Sequence, residues 1–195
     1  MPFPLIVSFH TPDAVYSGCA DILKRSLDKF GLEYEIDCLT PGDKASFPAV
    51  CCLKAPFIQE KLQKHPGRPI VWLDADSEVV SYPSLLEDIK EDVASVLWND
   101  VSLLISILYC ANVPNVHRVM NLWIDENRRN CLSRNADQTN LDTVLKKSPQ
   151  VSFLQLPRTY AHVPDETPGN DPPVIVQYLA SRTQSGFDVY GPGRP

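Results

Sequence analysis

Pro69-Ile70-Val71-Trp72-Leu73, followed at once by Asp74-Ala75-Asp76, is the stretch from which the rest of the chain can be ordered. Five residues opened by a proline and rich in β-branched and aromatic side chains read as a buried strand. A strand buried on both faces belongs to a largely parallel sheet covered by helices. Ligands of such sheets collect at the carboxyl ends of the strands, where these two aspartates stand. Carboxylates one residue apart can approach one divalent cation together, and hard oxygen ligands suit Mg²⁺ or Mn²⁺, with phosphate oxygens completing the shell. A bare D-x-D recurs by chance, so its meaning depends on its surroundings.

Upstream, Leu5-Ile6-Val7-Ser8-Phe9 reads as a first strand ending at His10-Thr11-Pro12. Apolar residues then recur at helical spacing from Ala14 to Phe30, with Gly31 as a C-terminal stop. Leu32 to Cys38 alternates like a strand, and Ala49 to Lys64 reads as a second helix closed by His65-Pro66-Gly67. The order β-α-β-α-β ending at Leu73 predicts right-handed crossovers and a mostly parallel sheet in an α/β fold. Downstream, a short helix is expected over Ser84–Glu91 and a strand over Val93–Trp98. Val101–Asn112 reads as a long buried strand or a strand with a turn before it. Helices over Val116–Asn130 and Asp137–Lys147 follow, then strands over Val151–Leu156 and Val174–Leu179. Residues 1–187 fit one domain, with 188–195 as a Gly- and Pro-rich tail that frays.

Composition narrows the function classes. The 195 residues are 44% hydrophobic and 22% charged, ordinary for a globular protein, and the net charge is −6. Neutralising nucleic-acid phosphates needs clustered Lys and Arg, so no nucleic-acid partner is expected. The apolar stretch around 101–113 is interrupted by Ser and Asn and falls short of a transmembrane segment. Six cysteines show neither C-x-x-C nor zinc-finger spacing; with no signal peptide in view, free thiols in a cytoplasmic protein are the simplest expectation.

Several segments taken in order resemble one family, the GT-A nucleotide-diphospho-sugar transferases. Phe9-His10-Thr11-Pro12 closes the first strand, where that family holds its nucleotide. Cys52-Leu53-Lys54-Ala55-Pro56-Phe57-Ile58 with Leu62 looks like its K-P-x-F-I-x-x-x-L helix, the proline standing one residue later than in the pattern. Pro69–Asp76 matches its strand and metal motif. Asp137-Gln138-Thr139-Asn140-Leu141 matches D-Q-x-x-L, Leu156-Pro157-Arg158-Thr159-Tyr160 looks like L-P-x-x-Y, and Val174–Arg182 is similar to its H-x-x-A-S-R segment. The co-linear set spans about residues 5–182, nearly the whole chain.

The resemblance implies a GT-A (Rossmann-like) three-layer α/β/α architecture. It also implies a metal-dependent glycosyltransferase that moves sugar from a nucleotide-diphospho-sugar to a glycan or other hydroxyl acceptor. Mn²⁺ or Mg²⁺ would stabilise the departing diphosphate. Asp76 would bind the cation directly, with Asp74 between metal and ribose. Asp137 would be the base that deprotonates the acceptor in an inverting enzyme, or would hold the sugar in a retaining one; a carboxylate at a helix start is equally a capping residue. Gln138 would touch the sugar; Thr11 would touch the base or ribose or else cap a turn, and Lys54 would neutralise a phosphate or else lie solvated on a helix surface. Asn112 would bond a sugar hydroxyl or cap the next helix, and Arg182 would pair with diphosphate or with a C-terminal carboxylate. The family places a histidine as third metal ligand where this chain has Gln177. A carboxamide oxygen can serve a hard cation, so both a retained metal and a metal-sparing site stay open.

Two other readings compete. A non-catalytic module with the sugar-nucleotide fold is consistent with Gln177 and with little chain left for an acceptor domain. A haloacid-dehalogenase-type phosphatase shares D-x-D but needs Thr or Val where Glu78 stands, and its motif opens the domain. A nucleotidyltransferase would want a Gly-rich basic loop after the first strand, and His10-Thr11-Pro12-Asp13 offers none.

Overall fold

A computed structural model describes residues 3–42, 46–99, 101–131, 133, 136–164, 166 and 171–180. The tail 188–195 and Arg182 lie outside them. Strand β1 (Leu5–His10) is buried along its whole length, as its apolar run requires. Thr11-Pro12 ends it, and Asp13 caps helix α1 (Ala14–Lys29) by accepting the Val15 and Tyr16 N–H groups. Gly31, at φ +64, closes that helix and turns the chain into β2 (Tyr34–Cys38).

The single helix expected over Ala49–Lys64 is two helices, α2 (Phe47–Cys51) and α3 (Lys54–Lys64). Pro56 is the reason. A continuous helix would need a Pro56 N–H for the Cys52 carbonyl and would press the ring against that carbonyl. In the broken arrangement the Cys52 carbonyl accepts instead from the Asn127 amide at 3.3 Å, and Pro56 falls in the first turn of α3, where proline is tolerated. The break puts Lys54 at the head of α3.

Strand β3 (Ile70–Leu73) follows, then the short β4 (Ser77–Val79), a 3₁₀ turn at Ser84–Glu87 in place of the expected helix, and β5 (Val93–Trp98). The apolar run after it is β6 (Ser102–Cys110), joined to β5 by a tight turn in which Asn99 takes φ +50 and Val101 N–H donates to Trp98 O. So short a connection can only make the two strands antiparallel. Helices α4 (Pro114–Arg129) and α5 (Ala136–Lys146), then β7 (Phe153–Leu156) and β8 (Ile175–Gln177), complete the described elements.

Among the described residues the main sheet has the order β2-β1-β3-β6-β5-β7. The β1–β2, β1–β3 and β5–β7 pairings are parallel, and β6 runs antiparallel to both its neighbours. β4 and β8 form a separate antiparallel ladder. One face of the sheet packs Leu5, Val7 and Trp72 against α3, α4 and α5; the other packs Ile6, Val71 and Leu73 against α1 and the small ladder. The result is a three-layer α/β/α sheet, mostly parallel, as the element order predicts. The chain passes from β1 to β2 on one side and then crosses back to β3 on the other, so the carboxyl ends of β1 and β3 flank a switch point, the place where such sheets open a crevice. No helix among the described residues is long and apolar enough to cross a membrane.

Candidate functional site

A cavity of about 450 Å³ opens at that switch point. The end of β1 supplies Phe9, His10 and Thr11; the first turn of α1 supplies Tyr16; and the end of β3 supplies Trp72, Asp74, Ala75 and Asp76. Pro41 and Gly42, beyond β2, and Phe47, Val50, Cys51 and Lys54, on α2 and α3, close the remaining wall.

Lys54 is the centre of its charge network. The ammonium lies 2.9 Å from Asp74 Oδ1 and 3.4 Å from Asp137 Oδ2, with only 11% of the side chain exposed. Burial alone would depress this lysine, but the Asp74 carboxylate and then Asp137 outweigh it and hold the ammonium above its ordinary range. The Asp74 Oδ1 atom also accepts the Trp72 indole N–H at 2.8 Å, so its direction is fixed from within the sheet. Asp76 is nearly buried, and its Oδ2 accepts the Ala180 N–H at 2.7 Å. Burial, then the Asp74 charge, push the Asp76 carboxyl up to about 6 against the pull of the Ala180 and Asp76 N–H groups and of Lys54. Burial, with Asp76 next, lifts the Tyr16 phenol above its usual range, which leaves it a neutral donor on the cavity wall.

The site expectations fare unevenly. Asp74, Asp76, Lys54 and Thr11 all meet at the cavity. The Thr11 hydroxyl, however, donates to Asp13 Oδ2 at 2.5 Å and so belongs to the α1 cap. Asp137 stands in the first turn of α5, behind Lys54; the carboxylate is 6% exposed and does not line the cavity. Its backbone carbonyl accepts the Trp123 indole N–H, which pins it there. Gln138 is half-buried beside it and also off the cavity wall. Asn112 is not brought to the cavity at all. Its amide donates to the carbonyls of Leu62, His65 and Arg68, closing the end of α3 and the turn after it. Antiparallel β6 carries it to the sheet edge opposite Asp74, because Cys110 pairs with Ile70 at the start of β3. Arg182 lies outside the described residues.

Gln177 is buried on β8 and paired in register with Ser77, one residue past Asp76. Its Oε1 accepts the Ser77 hydroxyl at 2.8 Å, and its amide nitrogen has no partner. Turning the amide over would let Nε2 donate to Ser77 Oγ and free Oε1, the atom a hard cation takes. Among the described residues no group of three or more His, Cys, Asp or Glu is arranged to hold a metal. The available donor set is therefore two carboxylates and a carboxamide. That set is chemically suited to Mg²⁺ or Mn²⁺ and leaves coordination positions for phosphate and water.

Tyr16, Phe47, Cys51, Pro41 and Gly42 are cavity residues that motif reading passes over. The available signal was positional, since each follows or faces a strand end next to the switch point.

No protein-family model matches this sequence, and no match is found among curated proteins. Solved structures do match. A glycosyltransferase involved in the glycosylation of the major capsid of PBCV-1 superposes with a TM-score of 0.67 at 13% identity, over 94% of this chain and 98% of that one. The apo form of the glycosyltransferase GlyE of Streptococcus pneumoniae TIGR4 gives 0.62 at 14% identity, over 91% of this chain and 54% of that one, so this chain spans about half its length. Mouse xyloside xylosyltransferase 1 gives 0.56 at 8% identity, over 91% of this chain and 98% of that one. At these identities what is shared is the fold: the chain has the α/β fold of these glycosyltransferases.

Proposed function

We propose that this protein is a metal-dependent glycosyltransferase that moves a sugar from a nucleotide-diphospho-sugar to an acceptor hydroxyl. The observation that carries the reading is the convergence of Asp74, Asp76 and the buried Lys54 ammonium on one 450 Å³ cavity at the sheet's switch point. That volume is within the range of small-molecule sites. The fold shared with glycosyltransferases supports the same reading.

Asp74 and Asp76 would hold Mn²⁺ or Mg²⁺, with the Gln177 carboxamide as a third donor once its amide is turned. When bound, the cation acts as a Lewis acid on the leaving diphosphate. The residues themselves supply preorganisation. Asp76 is aimed by the Ala180 N–H and Asp74 by the Trp72 indole, so neither carboxylate has to reorient as charge develops. Lys54 adds a fixed positive charge on the same wall for the diphosphate. The neutral Tyr16 hydroxyl and the apolar Phe47, Val50 and Pro41 suit the nucleoside, with Thr11 contributing its backbone.

For Asp137 the geometry favours positioning over proton abstraction. A base must come within hydrogen-bond reach of the acceptor hydroxyl, and this carboxylate is capped by Lys54 away from the cavity wall. We assign it the role of holding Lys54 in place. In that role Asp137→Asn lowers kcat moderately and leaves its pH profile unchanged; a loss of 10³-fold or more with a lost acid limb would restore it as the base.

The test is release of nucleoside diphosphate from UDP-, GDP- and dTDP-sugars with Mn²⁺ and with a chelator present. Metal-dependent release lost in Asp76→Asn is the expected result. The engagement of Gln177 Oε1 by Ser77 favours a second reading, a non-catalytic sugar-nucleotide-binding module. Binding of donor without release from any of the three would select it.

A further inference from the structure

Among the described residues two that are not glycine have a left-handed backbone, Asn99 at φ +50 and Leu179 at φ +53. Asparagine visits that region readily, and Asn99 stands in the β5–β6 turn. For leucine the conformation is strained and persists only where its surroundings impose it. The surroundings here are the Asp76 turn. β8 pairs with β4 so that Gln177 lies opposite Ser77, and the ladder runs one pair further, the Tyr178 N–H donating to the Asp76 carbonyl at 2.9 Å. Two more extended residues would carry the Ala180 N–H about 7 Å along, past Asp76 and toward Asp74. Leu179 turns the chain instead, and the Ala180 N–H donates to Asp76 Oδ2 at 2.7 Å. The N–H groups on either side of Leu179 thus hold one residue, Tyr178 by its main chain and Ala180 by its side chain.

That turn has two consequences for the site. It stops the β4–β8 ladder short of Asp74, whose side chain stays 27% exposed on the cavity wall. It also sets the direction of the Asp76 carboxylate, because Asp76 and Ala180 are both buried and a bond from an N–H to a carboxylate is strong and short where water is excluded. We propose that Leu179 is a positioning residue for the cation site: its left-handed backbone turns the Ala180 N–H onto Asp76 Oδ2, and that bond holds the carboxylate in the orientation in which it meets a divalent cation. The proposal rests on the metal-dependent reading above. Groups that orient a metal ligand act through that ligand, and losing one weakens metal binding about 10–100-fold. The strain at Leu179 is held by its flanks, where Ser77 donates to Gln177 and the Tyr178 hydroxyl donates to Glu78.

Three substitutions separate backbone from side chain. Leu179→Gly and Leu179→Asn place there a residue that adopts the left-handed region at little cost, whereas Leu179→Val places a β-branched one that resists it. All three lose the leucine side chain, so its packing cannot explain a difference among them. Mn²⁺ binding is read by water-proton relaxation, with the metal alone and with UDP, GDP or dTDP, on protein whose folding is checked by circular dichroism. Exchange of the Ala180 amide, followed by NMR without metal, reads the bond itself. Leu179→Gly and Leu179→Asn should bind Mn²⁺ as the parent does and keep the Ala180 amide protected. Leu179→Val should bind it about 10–100-fold more weakly, with that protection lost. Equal Mn²⁺ affinity in Leu179→Val and the parent would overturn the proposal. So would an equal loss in all three variants, which would trace the effect to the leucine side chain. A parent that binds no Mn²⁺ under any of these conditions would overturn the metal reading itself, and this role with it.

Discussion

Replacing Lys54 with methionine would remove the one positive charge that the half-buried Asp74 and the buried Asp137 share. The ammonium sits 2.9 Å from Asp74 and 3.4 Å from Asp137. At an effective dielectric constant near 20 each contact is worth about 5 kcal/mol of gross attraction, most of it spent on keeping three charged groups out of water. Removing one partner of such a cluster leaves its carboxylates uncompensated, a loss of about 3–5 kcal/mol. For a chain of this size that corresponds to a melting temperature lower by about 6–20 °C. Urea denaturation followed by circular dichroism measures it. The double variant Lys54→Met/Asp137→Asn removes one stranded carboxylate together with the lysine, and the cycle should show a coupling of at least about 1 kcal/mol. Stability of Lys54→Met within about 1 kcal/mol of the parent, with no coupling, would refute the view of Lys54 as a buried counter-ion.

Asn112→Ala should cost about 1–3 kcal/mol, because three carbonyls at the end of α3 lose their donor; donor binding should be unchanged, and weakened binding would return Asn112 to the site. Glu35 links β2 to α3 through Lys61, Lys64 and His65, whose bonds outweigh burial and bring its carboxyl down to about 2. A lowered folded value contributes stability above the ordinary glutamate range that is lost as pH falls. The stability gap between the parent and Glu35→Gln, about 1–3 kcal/mol at pH 7, should therefore shrink between about pH 4.5 and pH 2. A gap independent of pH in urea titrations would show that the pairing adds nothing. Pro56→Ala should leave the α2–α3 break in place if Asn127 and tertiary packing hold it, or fuse the helices if proline alone does. The account predicts a helical gain by circular dichroism together with weaker donor binding, since fusion would move Lys54; a variant matching the parent in both would refute proline as the cause.

The parts of the fold legible in the sequence were those set by local signals. β1 and β3 are short apolar runs with both faces covered, and Asp13 and Gly31 mark the two ends of α1. The α2–α3 break was missed because Val50, Leu53 and Phe57 pack into one core, so apolar periodicity runs on past Pro56. The β4–β8 ladder joins three-residue strands about 100 positions apart, too short for any pattern and defined only by tertiary pairing. Asn112 illustrates a subtler limit. The apolar run before it was read, but its direction was not, and an antiparallel β6 delivers its carboxyl end to the wrong edge of the sheet. The turn at Asn99, between Trp98 and Val101, was the local signal for that reversal. Asp74 and Asp76 were legible because a strand end fixes where its side chains go. Asp137, by contrast, depends on how α5 is set against α3, which no spacing records.

The central claim is that Asp74 and Asp76 hold a divalent cation through which a nucleotide-diphospho-sugar is bound. Thermal shift of the parent and of Asp76→Ala with UDP-, GDP- and dTDP-sugars, with and without Mn²⁺, tests it most directly. For one donor at a hundred times its dissociation constant the stabilisation should be about 2.7 kcal/mol, or about 5–11 °C, only with Mn²⁺ and only in the parent. A shift of the same size in Asp76→Ala, or one indifferent to Mn²⁺, would contradict it.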